Sequence, residues 1–390
     1  MQQQSDYQVQ DALELYPGNW LYNAGVIGFL QSIKYVKEFN SNQKFNIESW
    51  IQSDGSVNLK LPLFSDLRIE DRYFGKNKVS SIVGKNNLYP NFLQSNQKNI
   101  FKEFVKALDS LEENYCDICA NGKSIKPSKI KYINDIDPAK EDSKRFLYRI
   151  KKFSIIHYSD LGPSFGKYPN AFWNLNQSLR ICHLCNFLII HHHLALTRLS
   201  DGSEIFINAP SFQVMWHLNR LVREMFGSNN ANPAFDKRHI LAMSIIEYAA
   251  KIQSLFGAWM MMNIEIVIRE KYLIREKGKK KIEYDISFFS LPYEVVQLLS
   301  DKHIASLLSR IGEFSILNLV LDQDYERLIE TGYRLLRIGL KPAQERNTSE
   351  TNFLDYTLYQ YQNKESPVRV ANQLFKLYAY IIQKQKISKL

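Results

Sequence analysis

Four cysteines, the only ones in this chain of 390 residues, form two Cys-x-x-Cys pairs, Cys116 with Cys119 and Cys182 with Cys185. Two intervening residues let both thiolates of a pair reach one ion at about 2.3 Å from a tight turn, and a second pair completes a tetrahedral shell. The spacing therefore predicts a Zn²⁺ site ligated by all four cysteines. A fully cysteine-ligated site is normally closed, so we expect this ion to be structural rather than catalytic.

Redox chemistry and disulfide bonding are the alternatives for these cysteines. A thioredoxin-like motif uses one Cys-x-x-Cys at the start of a helix in a βαβ unit, and neither pair lies in such a pattern. Disulfide frameworks are typical of secreted chains. The N-terminal sequence lacks the basic segment and apolar stretch of a signal peptide, and no apolar run approaches the length that spans a bilayer. We therefore expect a cytoplasmic protein with no membrane association.

Histidines near the second pair offer further candidate ligands. His183 lies inside the pair, and His191, His192 and His193 are consecutive. Neither a helix nor a strand directs three consecutive side chains at one ion. Since four thiolates already complete the shell, we expect these histidines to be structural.

Composition and charge indicate the class of partner. The chain carries a formal net charge of +10, with a pI near 9.1, which favours a polyanion such as nucleic acid, although the charge could serve solubility alone. Its length exceeds the size at which one hydrophobic core stops growing. We expect an α+β fold in three parts: residues 1–226, residues 234–291 and residues 292–390.

The elements that position the first part follow from hydrophobic periodicity. Asn19 is placed to cap a helix in which Gly25 and Gly28 predict a close backbone approach, most simply to a sheet. A helix over residues 99–114 leads into the first cysteine pair. The 62 residues between the pairs, 120–181, predict a long insertion whose base the metal clamps.

Beyond the second pair, residues 204–208 alternate like a strand, and Ser211 is placed to cap a helix that continues to Phe226. A helix over residues 239–259 precedes a β-hairpin with a basic tip, which includes Lys279 and Lys280. Four helical segments, near residues 292–311, 323–339, 352–363 and 367–387, then predict a C-terminal helical bundle.

Basic and amide residues in turns, in the hairpin and on one helix face are the candidate nucleic-acid contacts. They are Lys76, Asn77, Lys78, Lys85, Asn86, Asn87, Lys279, Lys280, Arg334, Arg337 and Lys341. Ordinary solvated turns and a soluble helix face are the alternatives. The sequence contains no Walker loop, no Ser-His-Asp signature and no grouped carboxylates, so we expect a protein that is not an enzyme.

The stretch from Gly18 to Leu30, the two cysteine pairs with their long insertion, and the helical C-terminal part together resemble a known family. That family is the large subunit of type I CRISPR effector complexes (Cascade), and the resemblance is to the Cys-x-x-Cys/Cys-x-x-Cys subfamily associated with type I-B systems. The resemblance spans most of the chain. It implies a non-catalytic subunit of a complex guided by a CRISPR RNA (crRNA) in antiviral defence.

The resemblance also implies partners and roles. The N-terminal domain would sit beside the subunit that caps the 5′ handle of the crRNA and would inspect the protospacer-adjacent motif in double-stranded target DNA. The C-terminal bundle would resemble the small subunit, line the path of the displaced strand and so stabilise the R-loop. Guide-processing and backbone-forming subunits, a small subunit, and an effector nuclease-helicase or transposition proteins complete the expected partners.

By this resemblance, the loop residues Lys76 to Lys78 and Lys85 to Asn87 would sense the motif, and Arg334, Arg337 and Lys341 would contact the nucleic-acid backbone. Two other classes of function stay open. One is a zinc-containing nuclease, and the other is a freestanding zinc-stabilised nucleic-acid-binding protein.

Overall fold

A computed structural model describes residues 12–41, 43–60, 63–64, 67, 73, 98–119, 122–126, 129, 152–154, 178–199, 201–227, 239–240, 242–246, 264–276, 279–358 and 366–387. Within these residues the chain combines helices with small antiparallel sheets, which confirms the α+β class. It divides into two compact units, Met1–Leu196 with Pro210–Trp216, and Thr197–Ala209 with His217–Leu390. The division into three parts stays a prediction.

The first unit holds the cysteines. Its described elements are β1 (Ala12–Leu15), α1 (Trp20–Ser41), β2 (Val57–Lys60), α2 (Lys98–Ala107), β3 (Glu112–Glu113), β4 (Lys123–Ser124), β5 (Lys152–Ser154), β6 (Ser178–Arg180), α3 (His183–Ile189) and α4 (His192–Ala195). Three antiparallel pairs, β1 with β2, β3 with β4, and β5 with β6, form its two-stranded sheets.

Helix α1 begins where the sequence predicts. The Oδ1 atom of Asn19 accepts a hydrogen bond from the backbone N–H of Leu21 at 3.0 Å, which satisfies one of the unpaired donors of the first turn. The side chain of Asn23 binds both backbone groups of Gly18, with distances of 2.8 and 2.9 Å. The turn before the helix is thereby fixed to the helix itself.

Two glycines of α1 mark a close approach of another backbone. A Cβ atom on Gly25 would lie 2.7 Å from the carbonyl oxygen of Leu188, and one on Gly28 would overlap the carbonyl oxygen of His191. The predicted close approach is confirmed, but the expected sheet is wrong. Helices α3 and α4 pack against α1, since the chain after the second cysteine pair continues as helix.

Aromatic rings form the core beneath this contact. Phe187 of α3 lies at the centre, with ring centroids 5.4 Å from Phe29, 5.5 Å from Phe64 and 5.0 Å from His191. All of these side chains are fully buried. Burying a side chain of this size contributes about 1.5–3 kcal/mol. Phe187 follows Cys185 by two residues, so the core and the second cysteine pair share one helix.

Among its described residues, the second unit is helical apart from one sheet. Its elements are β7 (Thr197–Arg198), β8 (Glu204–Asn208), α5 (Phe212–Phe226, of which residues 212–216 belong to the first unit), β9 (Glu265–Glu276), β10 (Lys279–Ser290), α6 (Tyr293–Leu299), α7 (Lys302–Ile311), α8 (Phe314–Leu321), α9 (Tyr325–Gly339), α10 (Thr348–Thr357) and α11 (Pro367–Ile387). The sheet is antiparallel, with the order β10-β9-β8-β7.

Several predicted elements of this unit are confirmed. The strand over residues 204–208, the helix that ends at Phe226 and the β-hairpin are present. The expected segment 292–311 is two helices, α6 and α7, and α8 was not predicted. Of the helix expected over 239–259, only residues 239–240 and 242–246 are described, and these are helical.

The terminal helices pack on one another. Helix α11 contacts both α7 and α9, and α8 contacts both α9 and α10. Gly332 and Gly339 of α9 allow the approach of α11, because a Cβ atom on either would lie 2.8 Å from Phe375 or Val368 respectively. Across the described ranges, no helix combines the length and apolar character that a bilayer span requires.

Candidate metal centre and the predicted nucleic-acid contacts

The two cysteine pairs lie on different local structures. Cys116 and Cys119 occupy the turn between β3 and β4, and Cys182 and Cys185 occupy the start of α3. Backbone N–H groups point at the sulfurs: Ile118 donates to Cys116 Sγ, and Cys185 donates to Cys182 Sγ, each at 3.4 Å. Donors of this kind favour the thiolate form of a sulfur.

The four sulfurs form one compact cluster. All lie within 4.8 Å of one another, with 3.8 Å between Cys116 and Cys185 and 4.0 Å between Cys119 and Cys182. A tetrahedral ion with metal–sulfur bonds of about 2.3 Å requires sulfur–sulfur distances of about 3.8 Å. A disulfide requires about 2.05 Å, and all four cysteines are free. The cluster therefore fits one four-coordinate ion, as the sequence predicts.

Burial and mutual hydrogen bonding give these four thiols different pKa values. Burial raises the pKa of Cys185 well above its ordinary value. The hydrogen bond with Cys119 lowers the pKa of Cys116, and the same contact raises the pKa of Cys119. A coordinated cation would lower the pKa of all four thiols, because it stabilises the thiolate form of every sulfur it binds. Among the described residues, no other group of three or more His, Cys, Asp or Glu side chains is close enough to share an ion.

His183 lies inside the second pair but does not belong to the cluster of four sulfurs. Its Nδ1 atom accepts a hydrogen bond from the backbone N–H of Ile125 at 2.8 Å, and both residues are buried. The bond joins the chain just after the first pair to the helix that carries the second. His183 is therefore a positioning residue, which the sequence indicated only by its place between two ligands.

Gly122 is a second residue whose role is not evident from the sequence. Its carbonyl accepts a hydrogen bond from the backbone N–H of Asn114 at 2.7 Å, which closes the loop around Cys116 and Cys119. A Cβ atom on Gly122 would lie 2.9 Å from the Cβ atom of Cys116 and would overlap the carbonyl oxygen of Asn114. The available signal was a glycine three residues after the first Cys-x-x-Cys pair.

The beginning of α1 lies against the same site. A Cβ atom on Gly18 would be 3.1 Å from the carbonyl oxygen of Ile118, in the first cysteine turn. Burial first, and then the charge of the four cysteines, raise the pKa of Tyr22 well above its ordinary value. The opening helix and both cysteine pairs, which are distant in sequence, therefore meet in the first unit.

The consecutive histidines have structural partners. The Tyr73 hydroxyl donates to Nε2 of His191 at 2.8 Å, and Nδ1 of His191 donates to the Phe187 carbonyl at 2.9 Å. Nδ1 of His192 donates to the carbonyl of Ile189 at 2.9 Å. Both histidines are buried, in agreement with the expectation that they are structural.

The structure describes only some of the residues predicted to contact nucleic acid. Lys76, Asn77, Lys78, Lys85, Asn86 and Asn87 lie outside the described residues. Lys279 and Lys280 open strand β10, where their backbones pair with Glu276 and Arg275. All of these contacts stay predictions.

The helix-face candidates include two residues that hold α10. The guanidinium carbon of Arg334 lies 4.0 Å from the ring centroid of Phe353, and Lys341 Nζ lies 2.6 Å from Glu350 Oε1. Arg337 is exposed on α9, whereas Lys341 lies just past the end of that helix at Gly339. Arg334 and Lys341 thus have an intramolecular role in addition to any contact with nucleic acid.

Comparison with known proteins adds no relative. No family model matches the chain, and no curated protein or solved structure matches it either. The function proposed below is therefore supported by the residues of this chain and by the way they are arranged.

Proposed function

We propose that this chain is the non-catalytic large subunit of a crRNA-guided DNA surveillance complex, and that its four cysteines hold a structural Zn²⁺. The observation that carries the proposal is the meeting of both cysteine pairs with the start of α1. These are the segments on which the resemblance to the type I large subunit depends.

Zinc is the ion that best suits the donor set. Four thiolates at tetrahedral spacing with no open position favour Zn²⁺ or an iron–sulfur cluster, and the separation of 3.8–4.0 Å suits a single ion. When bound, the ion supplies a cross-link between the turn after β3 and the start of α3. His183 and Gly122 position the two loops for that cross-link.

Metal analysis of the purified chain tests the site. We expect one zinc per chain, and loss of that zinc in Cys185→Ser, whose side chain is fully buried among the other sulfurs. Asp117→Asn is a matched control, because Asp117 is exposed inside the first pair and contributes no sulfur. Bound iron, or zinc that survives in Cys185→Ser, would contradict the assignment.

The proposed role divides the work between RNA and protein. Guide pairing reads the long target sequence, while protein loops recognise a few base pairs and hold charged backbones. We assign motif sensing to the two loops with Lys76 to Lys78 and Lys85 to Asn87, and backbone contacts to the α9 face. The N-terminal part would lie beside the handle-capping subunit, with the zinc clamping the base of the insertion, and the C-terminal helices would stabilise the R-loop and help to dock the effector.

Reconstitution with guide RNA and the handle-capping and backbone-forming subunits tests this role. We expect binding to guide-matched duplexes to depend on the flanking motif, to require this chain, and to weaken when Lys76 to Lys78 or Lys85 to Asn87 are replaced by alanine. Binding by the chain alone without regard to the flank would favour a freestanding nucleic-acid-binding protein. Metal-dependent cleavage by the isolated chain, abolished by a carboxylate substitution, would favour a nuclease.

A further inference from the structure

Tyr22, in the first turn of α1, carries a buried hydroxyl group that no described residue binds. Its side chain is fully buried, and the hydroxyl has no hydrogen-bond partner among the described residues. A buried polar group without a partner costs free energy, and native proteins seldom contain one unless an ion, a water molecule or a functional group is near. The hydroxyl therefore indicates a partner that the surrounding protein groups do not supply.

Tyr73 shows how the same unit satisfies a buried phenol elsewhere. Its side chain is also fully buried, and its hydroxyl donates to Nε2 of His191 at 2.8 Å. The unpaired hydroxyl of Tyr22 is therefore a property of its position in the fold and not of buried tyrosines in this unit.

The ring of Tyr22 is held against the first cysteine turn. A Cβ atom on Gly18 would lie 3.1 Å from the carbonyl oxygen of Ile118, which lies inside the first cysteine pair, and 3.4 Å from Cδ1 of Tyr22. The side chain of Asn23 binds both backbone groups of Gly18 and so fixes this contact point. The ring of Phe212 meets that of Tyr22 edge to face at a centroid distance of 6.5 Å. Packing on both the turn and Phe212 restricts the orientation of the phenol.

The charge of the cysteines acts on this hydroxyl. Burial first, and then the charges of the four cysteines with Cys185 foremost, raise the pKa of Tyr22 well above its ordinary value. The phenol therefore stays protonated at neutral pH. A protonated hydroxyl beside anionic sulfur can donate a hydrogen bond to it.

An occupied site would need such donors. Four thiolates outnumber the two positive charges of Zn²⁺, so the site with its ion is anionic, and three of its four cysteines are buried. Buried charge is tolerated where hydrogen bonds stabilise it. The number and placement of donors around the sulfurs therefore affect how tightly the ion is held.

The described backbone donors serve two of the four sulfurs. Ile118 and Cys182 donate to Cys116 Sγ, and Cys185 donates to Cys182 Sγ, each at 3.4 Å. Among the described residues, no backbone N–H donates to the sulfur of Cys119 or of Cys185. Cys119 is partly exposed, so water can reach it, whereas Cys185 is fully buried. Cys185 is thus the sulfur that most needs a donor from a side chain.

We propose that Tyr22 is a positioning residue of the metal site, and that its hydroxyl donates a hydrogen bond to the Cys185 thiolate when the site holds its ion. One contact then satisfies both the unpaired hydroxyl and the buried sulfur. Outer-shell donors of this kind typically change metal affinity by roughly 10–100-fold. The inference rests on the proposed Zn²⁺, and it connects α1 to a ligand of α3 that is distant in sequence.

Tyr22→Phe in the full chain tests the proposal, because it removes only the hydroxyl. Tyr73→Phe is the matched control, since it makes the same change at a buried tyrosine whose hydroxyl already binds His191. Competition with a chelator measures the retention of Zn²⁺, and the thiolate-to-metal charge-transfer band of the Co²⁺-substituted protein reports on the sulfurs. We expect Tyr22→Phe to hold zinc roughly tenfold less tightly. We also expect its band to move to lower energy, because a thiolate that loses a hydrogen bond gives up electron density more readily.

The control separates this role from a general loss of stability. Tyr73→Phe should lower the urea midpoint of the zinc-loaded chain, because it removes the hydrogen bond to His191, and should leave the band unmoved. Without metal, Tyr22→Phe should be at least as stable as the wild type, because it removes an unpaired hydroxyl. A lower stability of metal-free Tyr22→Phe would show that the hydroxyl has a partner in the absence of the ion and would overturn the proposal.

Wild-type zinc retention in Tyr22→Phe, or a band that is unmoved there or moves equally in both variants, would overturn the hydrogen bond while leaving the metal site intact. A wild-type chain that binds neither Zn²⁺ nor Co²⁺ would refute the site and the hydrogen bond together. The role in the guided complex is tested separately, by motif-dependent binding of the reconstituted complex, so these failures are distinguishable.

Discussion

Gly28→Ala tests whether the contact between α1 and the loop joining α3 to α4 needs a glycine. Gly28 is buried in the middle of α1, and a Cβ atom there would overlap the carbonyl oxygen of His191. That carbonyl also accepts the backbone hydrogen bond of Leu194 at 2.9 Å. The obstacle is therefore main chain that is itself held in place, and it has little freedom to move aside.

Two opposing effects determine how much Gly28→Ala changes the free energy of unfolding. Alanine is favoured over glycine in a helix interior by about 1 kcal/mol. Overpacking a filled site costs about 1–3 kcal/mol, and contact with a fixed backbone puts the cost at the upper end. We expect a net loss of about 1–2 kcal/mol in the free energy of unfolding of the first unit, or roughly 2–8 °C in Tm.

Urea and thermal unfolding followed by circular dichroism measure the loss, and zinc content reports whether the cysteine site is kept. Gly332→Ala is the matched control, because it makes the same change inside α9 but meets the ring edge of Phe375 at 2.8 Å. A ring can rotate away, so the control should lose less than 1 kcal/mol. A Gly28→Ala protein as stable as the wild type would refute the close approach.

Two further predictions concern single hydrogen bonds. His183→Ala leaves the buried N–H of Ile125 without its acceptor, so we expect a loss of about 1–3 kcal/mol in the free energy of unfolding and roughly tenfold weaker retention of zinc against a chelator. His183→Gln should recover part of both losses. Unchanged zinc retention in the alanine variant would contradict the positioning role. The hydrogen bond from Lys341 lowers the pKa of Glu350, so the pair stabilises the fold above the ordinary glutamate pKa of about 4.3 and loses that effect as pH falls through the lowered value. The urea midpoint of Lys341→Met should therefore lie below that of the wild type at neutral pH and approach it in acid. Lys376→Met, an exposed control, should have the wild-type midpoint at every pH. A difference in midpoint between Lys341→Met and the wild type that does not change with pH would exclude the ion pair as its cause.

The sequence predicted the parts of this structure that depend on residues close together in the chain. Asn19 caps α1 because its side chain needs only the N–H groups of the next turn. The hairpin follows from the alternation of apolar residues on both sides of a basic turn. The clustering of the four cysteines followed from their spacing, because one ion satisfies both pairs at once.

Features that depend on tertiary contacts were not predictable in the same way. Helix α8 reads FSILNLVL, which is apolar almost all round and so lacks the polar face that reveals a helical period. The glycines of α1 indicated that some backbone approaches, but nothing local distinguishes a sheet from α3 and α4. The regular spacing of Arg334 and Lys341 indicated a cationic face, while their partners Phe353 and Glu350 lie in a helix that follows a further turn.

Helix α3 joins the cysteine site to the aromatic core. Loss of an ion from the cysteine site would therefore also affect the packing of the core. Cys185 and Phe187 lie in the first two turns of one short helix, and Phe187 packs against Phe29 of α1 at a centroid distance of 5.4 Å. A helix of this length has little stability of its own and depends on the contacts at its ends. Removing a bound ion would release the N-terminal end of α3, so α1 would lose part of its support even though Phe29 is no ligand. The proposed zinc would therefore stabilise the packing of the first unit as well as the loops that bind it.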